Sequence, residues 1–232
     1  GEITQEEVNA GLDRLRGNDY RREYRKKLQH LNLTQDYNVT LSKGGGKNDL
    51  FFSARYQELG QYNRYDEARN ISLYLKNTLS VASWMKLTLG MDTRFNRSEF
   101  CQASGMGYTS AMPYDRLYDD DGQPVNRYIY NQVLAEQLAT QDGYYDMGFN
   151  AAEESEHNIK KTDRQYLKLF LHTDFNITKD LDLELKFQYE RNHAETNEYD
   201  EENSYMMRSI LNEFASRNDD GTLTYHIPRG GH

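Results

Sequence analysis

The stretch Leu167-Lys168-Leu169-Phe170-Leu171-His172-Thr173-Asp174-Phe175-Asn176-Ile177-Thr178-Lys179-Asp180-Leu181-Asp182-Leu183-Glu184-Leu185-Lys186-Phe187-Gln188-Tyr189-Glu190 decides the fold. Leu167, Leu169, Leu171, Phe175 and Ile177 alternate with Lys168, His172, Asp174 and Asn176. After Thr178-Lys179-Asp180, Leu181, Leu183, Leu185, Phe187 and Tyr189 alternate with Asp182, Glu184, Lys186, Gln188 and Glu190. Side chains on a strand point alternately to its two faces, whereas a helix repeats its apolar positions every three and four residues. The stretch therefore reads as two strands joined by a tight turn.

The same period recurs upstream. Its apolar members are Leu31, Leu33, Tyr37, Val39 and Leu41, then Leu50, Phe52, Ala54 and Tyr56, then Ile71, Leu73, Leu75 and Leu79, then Met85, Leu87, Leu89, Met91 and Phe95. Predicted strands thus cover about 31–42, 49–58, 69–79, 84–97, 163–177 and 181–193. Their alternating parts run about nine to thirteen residues, where soluble strands usually have five or six and a tilted membrane-crossing strand needs roughly 9–11. One face is Leu, Met and Phe; the other is Lys, Asp, Glu, Asn and Thr. A transmembrane barrel shows this pattern, with lipid outside and lumen within. A one-sided antiparallel sheet in a soluble protein alternates too.

The connections bear on that choice. Gly44-Gly45-Gly46-Lys47-Asn48, Ser80-Val81-Ala82-Ser83 and Thr178-Lys179-Asp180 read as tight hairpin turns. The intervening connections are longer: residues 59–68, the long loop 98–162, and the segment 195–232. Short turns at one end and long loops at the other is the outer-membrane arrangement, with the long loops outside the cell. Trp84 falls at a short-turn end, and Tyr56, Phe95 and Tyr189 toward the long-loop ends, where aromatic girdles lie. The predicted fold is all-β: an antiparallel up-and-down meander of six long strands from a transmembrane barrel, with short helices in long extracellular loops.

Composition excludes several other classes. The 232 residues are 37% hydrophobic and 28% charged, with a mean hydropathy of -0.98, yet they include 19 Tyr and nine Phe, more aromatic than a disordered chain. A net charge of -9 disfavours nucleic acid as a partner. The basic run Arg21-Arg22-Glu23-Tyr24-Arg25-Lys26-Lys27 reads as a solvated helix face. Cys101 is the only cysteine, so no internal disulfide and no thiol-rich zinc site is expected. No apolar run reaches the roughly 20 residues of a membrane helix, and Gly1 ahead of Glu2 reads as an expression scar.

The long loop holds the acidic segment Pro113-Tyr114-Asp115-Arg116-Leu117-Tyr118-Asp119-Asp120-Asp121-Gly122-Gln123-Pro124. Helical stretches are predicted from Asn126 to about Thr140 and from about Asn203 to Ser216, the second with Tyr205, Met206, Ile210, Leu211 and Phe214 at helical spacing. Asp119-Asp120-Asp121-Gly122 lacks the alternating oxygens and distal Glu of a calcium loop and reads as an Asp-Gly turn. The loop tyrosines either pack on one another or stack on sugar rings. Candidate ligand contacts are Tyr108, Tyr114, Tyr118, Asp119, Asp121, Tyr128, Tyr144 and Tyr145. The six histidines show no His-Glu-x-x-His spacing, and His172 reads as one more residue of the polar strand face. With no nucleophile elbow, phosphate loop or dinucleotide fingerprint, no catalytic residue, cofactor or metal is expected.

Two groups of motifs resemble a known family. Gln35-Asp36-Tyr37-Asn38-Val39-Thr40-Leu41-Ser42-Lys43-Gly44-Gly45 followed by Leu50-Phe51-Phe52-Ser53-Ala54-Arg55-Tyr56 resembles a strand–GG–strand signature of the SusC/RagA-like TonB-linked outer-membrane transporters. Arg69 to Asn77 leading to Trp84-Met85-Lys86-Leu87-Thr88-Leu89-Gly90 is similar to the family's next hairpin. Pro113 to Pro124 is similar to its acidic loop, and Leu211-Asn212-Glu213-Phe214 with Asp219-Asp220-Gly221 and Ile227-Pro228 to a later one. The resemblance implies a section of a barrel of about 22 strands, without its plug, in the bacterial outer membrane. It further implies import of glycans or peptides, with TonB and a SusD-like lipoprotein as partners of the whole transporter.

Two alternatives stay open on the residues themselves: a soluble all-β glycan-binding module using the Tyr-rich loop, and an adhesin-like surface barrel with no transported substrate. As an isolated piece, the sheet is expected to hide its Leu-rich face by self-association or by folding over its own loops.

Overall fold

Because side chains alternate, the register between strands decides whether separate apolar stripes merge into one face or scatter over two. In the computed structural model, which describes residues 4–102, 107, 109–129, 131–140 and 143–229, they merge. Six long strands form one antiparallel sheet: β1 (Gln35–Lys43), β2 (Asn48–Leu59), β3 (Glu67–Ala82), β4 (Met85–Cys101), β7 (Asn158–Thr178) and β8 (Leu181–Asp200). Their order is β1-β2-β3-β4-β7-β8, an up-and-down meander in which each strand pairs with the next long strand of the sequence. One rung runs Leu41, Phe52, Leu75, Met91, Leu169, Tyr189 across all six. The adjacent rung, on the opposite face, runs Thr40, Ser53, Tyr74, Asp92, Lys168, Glu190. The sheet thus has one apolar and one polar side, and β1 and β8 are its edges.

The turns follow their residues. Gly45 (φ +118°) and Gly46 (φ +80°) adopt the left-handed backbone that closes β1 onto β2. Ser83-Trp84 and Lys179-Asp180 close the other two hairpins, each beside a register shift of one residue. At mid-sheet Gly90 leaves room for the Phe170 ring, whose Cζ lies 2.0 Å from where a Cβ would stand.

Several boundaries differ from the periodicity. β1 begins at Gln35, and residues 31–34 precede it as unpaired chain with Leu31 exposed. β7 starts at Asn158 rather than about 163, and β8 ends at Asp200 rather than about 193. Alternation stops near Gln165 and Glu190 because both faces become polar there, but backbone pairing does not require an apolar face. The extension is held by its ladder, by the Lys160–Glu198 pair, by Lys161 Nζ 3.4 Å from Glu99, and by Thr162 against Thr196. The long loop accordingly spans 102–157 instead of 98–162.

All long connections gather at the end of the sheet opposite the hairpin turns, where they form a cap. It contains α1 (Gln5–Arg16), α2 (Tyr20–Leu28), α3 (Gln132–Ala139), α4 (Ala151–His157), α5 (Tyr205–Glu213) and two short antiparallel pairs. These are β5 (Arg127–Tyr128) with β6 (Gly148–Phe149), and β9 (Ala215–Arg217) with β10 (Leu223–Tyr225). The helix expected over Asn126–Thr140 is therefore a strand followed by a shorter helix. None of the described helices is long and apolar enough to cross a membrane, which says nothing of strands.

The buried core lies in this cap, away from the sheet faces. Tyr20, Tyr24 and Leu28 recur at four-residue spacing on α2 and pack with Cys101, Leu117, Phe149, Ala151, Ala152 and Tyr205. The basic residues of the run are the solvated face of this helix, as expected, and its other face is the centre of the core. By contrast, Leu89 remains 46% exposed and Phe187 66% exposed on the apolar side of the sheet. Among the described residues these positions stay open to solvent, and β1 is exposed along its whole length.

Candidate functional site: the loop cap

The cap is organised by buried polar residues that satisfy the backbone of irregular chain. Asn150 accepts from the N–H groups of Ala152 and Glu153 at the start of α4, and its amide donates to the carbonyls of Leu117 (2.8 Å) and Val125 (3.0 Å). The Glu23 carboxylate on α2 accepts from the N–H groups of Leu117 (2.9 Å) and Tyr118 (3.2 Å). Glu154, buried at 2% exposure, accepts the Tyr205 N–H on both oxygens and pairs with Arg208 at 3.1 Å. Arg208 also donates to the carbonyls of Asp146 and Gly148, so α5 is tied to β6 and α4. Burial pushes the Glu154 carboxyl above the usual carboxylate range, against the pull of the Tyr205 N–H and Arg208.

The acidic segment is closed on itself. One Asp119 oxygen accepts from the N–H groups of Asp121 (3.0 Å) and Gln123 (2.7 Å), and Gly122 takes φ +79°. Arg116 pairs with Asp120 at 2.5 Å. Asp119 therefore shapes the turn, while Asp120 and Asp121 are both exposed to solvent there. Tyr118 is half-buried against the core with the Lys27 ammonium 5.3 Å from its ring centre. Tyr114 is exposed beside Asn18, which donates to its carbonyl. Tyr128 donates its hydroxyl to Asp146 at 3.2 Å. Tyr108 lies outside the described residues.

Tyr144 and Tyr145 fall elsewhere, in a cluster completed by the C-terminal segment. The Tyr145 and Tyr225 rings meet edge to face at 5.7 Å. Arg217 lies over Tyr144 at 5.6 Å, and Arg229 over Tyr225 at 4.8 Å. Asn212 on α5 exchanges two hydrogen bonds with the Tyr145 backbone, at 2.9 and 2.8 Å. The Tyr145 hydroxyl donates to Glu202 and the Tyr225 hydroxyl to the Gly143 carbonyl. Burial, with Glu202 second, pushes the Tyr145 phenol up to about 12, so it stays a neutral donor. Aromatic faces edged by guanidinium groups suit stacking on a sugar ring or holding a carboxylate.

The eight candidates are therefore not one site. Tyr118, Asp119 and Asp121 share the acidic turn, Tyr128 leans on Asp146, and Tyr144 and Tyr145 join Tyr225, Arg217 and Arg229. The last three were missed because they lie more than 70 residues along the chain. The Asp219-Asp220-Gly221 turn before Thr222-Leu223-Thr224-Tyr225 was the signal for the hairpin that returns them. Outside the cap, His172, Asp174 and Glu184 converge on the polar side of the sheet and are the one potential metal-ligating group among the described residues. Compared with known proteins, the chain matches no family model and no curated relative.

Proposed function

We propose that this chain is a section of the wall of an outer-membrane β-barrel importer, of the SusC/RagA-like kind that its motifs resemble. The observation that carries the proposal is the single exposed apolar face built by six registered strands, edged by aromatics. Trp84 stacks with Phe175 at 6.2 Å toward the hairpin turns, and Tyr37 stacks with Tyr56 at 6.4 Å toward the cap. From Leu167 to Ile177 the apolar stretch of β7 is about 33 Å at about 3.3 Å per residue. With a tilt of about 40° it spans roughly 25 Å, the height of a barrel's apolar band. On this reading lipid covers the Leu-rich face and the polar face lines the lumen. The unpaired edges of β1 and β8 continue into neighbouring strands. The cap then faces the cell exterior and offers the Tyr144–Tyr145–Tyr225 surface to a glycan or peptide. TonB and a SusD-like lipoprotein act on the whole importer.

The cap's self-contained core favours a second reading, a soluble all-β glycan-binding module. Against it stands the exposed apolar face, far more continuous than soluble monomers tolerate. One experiment separates the two. Cysteines replace Asp121 in the cap and Lys179 in a hairpin turn of the full-length protein, and intact cells meet a membrane-impermeant maleimide. The buried Cys101 gives a low background. The importer reading expects labelling at 121 in intact cells and at 179 only after the outer membrane is opened. Recovery of the protein in a soluble fraction, or equal labelling of both positions from outside, overturns it.

A further inference from the structure

The polar face of the sheet holds a side-chain group that neither the cap nor the apolar face accounts for. His172 and Asp174 share one face of β7, and the β7–β8 register sets Glu184 directly opposite Asp174. The Nε2 atom of His172 lies 2.9 Å from an Asp174 oxygen and 2.5 Å from a Glu184 oxygen. That nitrogen is shielded from solvent, and neither contact has hydrogen-bond geometry. All three ligand atoms fall within 4.8 Å of one another. Two carboxylates meeting at one nitrogen repel each other unless positive charge stands between them. Lys186 reaches Glu184 at 2.8 Å, and Lys86 is the register neighbour of Asp174 on β4.

We propose that His172, Asp174 and Glu184 bind one divalent transition-metal ion of the zinc type, through Nε2 and one oxygen from each carboxylate. One imidazole with two carboxylates is a donor set that Zn²⁺ and its neighbours accept. With bonds of about 2.05 Å, tetrahedral ligands stand about 3.3 Å apart. The present 2.5 and 2.9 Å contacts therefore open by less than an ångström on loading. The adjoining groove, about 370 Å³ and lined by Tyr74, Asp92, Lys168 and Gln188 as well as His172, leaves the fourth position open to water or a small ligand. The ion staples the edge strand β8 to β7. The site rests on strand register alone and holds whether lipid, a second protein or water covers the opposite face.

The test is calorimetric titration of Zn²⁺ into the metal-free full chain, with Cu²⁺ paramagnetic resonance as a second readout. One strong site is expected, with superhyperfine coupling to a single imidazole nitrogen. His172→Ala and Glu184→Gln each weaken it at least tenfold, His172→Ala abolishes the nitrogen coupling, and His226→Ala changes neither. Lys186→Met, which releases Glu184 from its ammonium partner, tightens binding. Glu184 is half-exposed, so its Gln variant folds, and its melting without metal provides the control. No saturable binding at millimolar Zn²⁺, or binding indifferent to both ligand substitutions, overturns the proposal.

Discussion

Replacing Leu89 by Arg gives opposite results in lipid and in water. Leu89 sits mid-way along β4, five residues after Trp84 and six before Phe95, between Asn77 of β3 and Leu171 of β7. At about 3.3 Å per residue these steps are about 17 and 20 Å. A tilt of about 40° brings them to about 13 and 15 Å along the membrane normal. Leu89 is therefore near the mid-plane of the proposed apolar band, where an Arg facing lipid costs about 2–4 kcal/mol. That is about a 30- to 900-fold loss in the folding equilibrium. If water covers this face instead, a charge at a half-exposed position changes stability by no more than about 0.5 kcal/mol. Gln188→Arg, at a similar depth on the polar face, is the control and is expected to cost little in either setting. The assay is urea unfolding of the full-length protein in phosphatidylcholine vesicles, read by the gel mobility of the folded form. A Leu89→Arg midpoint no lower than that of Gln188→Arg refutes the assignment of this face to lipid.

Two further outcomes test the packing. Glu154→Ala leaves Arg208 and the Tyr205 N–H buried without their acceptor and is expected to destabilise the cap by about 3–5 kcal/mol, measured by hydrogen exchange of α4 and α5. Glu154→Gln, which keeps an acceptor and removes only the charge, tests the pH profile. Because the folded Glu154 pKa is raised above 4.5, the folded state holds the proton more tightly, so this group's contribution is fully present below about 4.5 and is lost as pH rises through the raised value. Melting of the wild type relative to Glu154→Gln should accordingly be most favourable at acid pH; a gap that widens toward neutral pH contradicts the assignment. Gly90→Ala drives a methyl into the Phe170 ring and is expected to cost about 1–3 kcal/mol. Phe170→Leu in the same chain should recover part of that loss in the urea midpoint.

Much of the sheet was legible because its signal is local. Each strand of the 167–190 hairpin states its own period, and Thr178-Lys179-Asp180 states where the chain reverses. The ends of β7 and β8 were not legible, since beyond Gln165 and Glu190 the ladder continues on backbone hydrogen bonds and ion pairs that leave no apolar period. The cap was legible only in its parts. The Tyr20, Tyr24 and Leu28 spacing was hidden within a basic run, and the partners of Tyr145 lie in a hairpin near the other end of the chain. His172 looked like one more lumen-facing residue, because its nearest potential co-ligand, Asp174, follows at ordinary strand spacing and Glu184 belongs to another strand.

By itself, the order of residues determined that long two-faced strands form, how they reverse, and which side chains share a face of each strand. Alternation is a property of one backbone segment and needs no partner to be expressed. The tertiary structure decided the rest. Register merged six stripes into one apolar side and brought His172, Asp174 and Glu184 to a point. The closing of the loops placed the core in the cap rather than on the sheet. Both outcomes depend on which distant backbone groups pair, and that choice is made by the summed burial and hydrogen bonding of the whole chain, which no local period records.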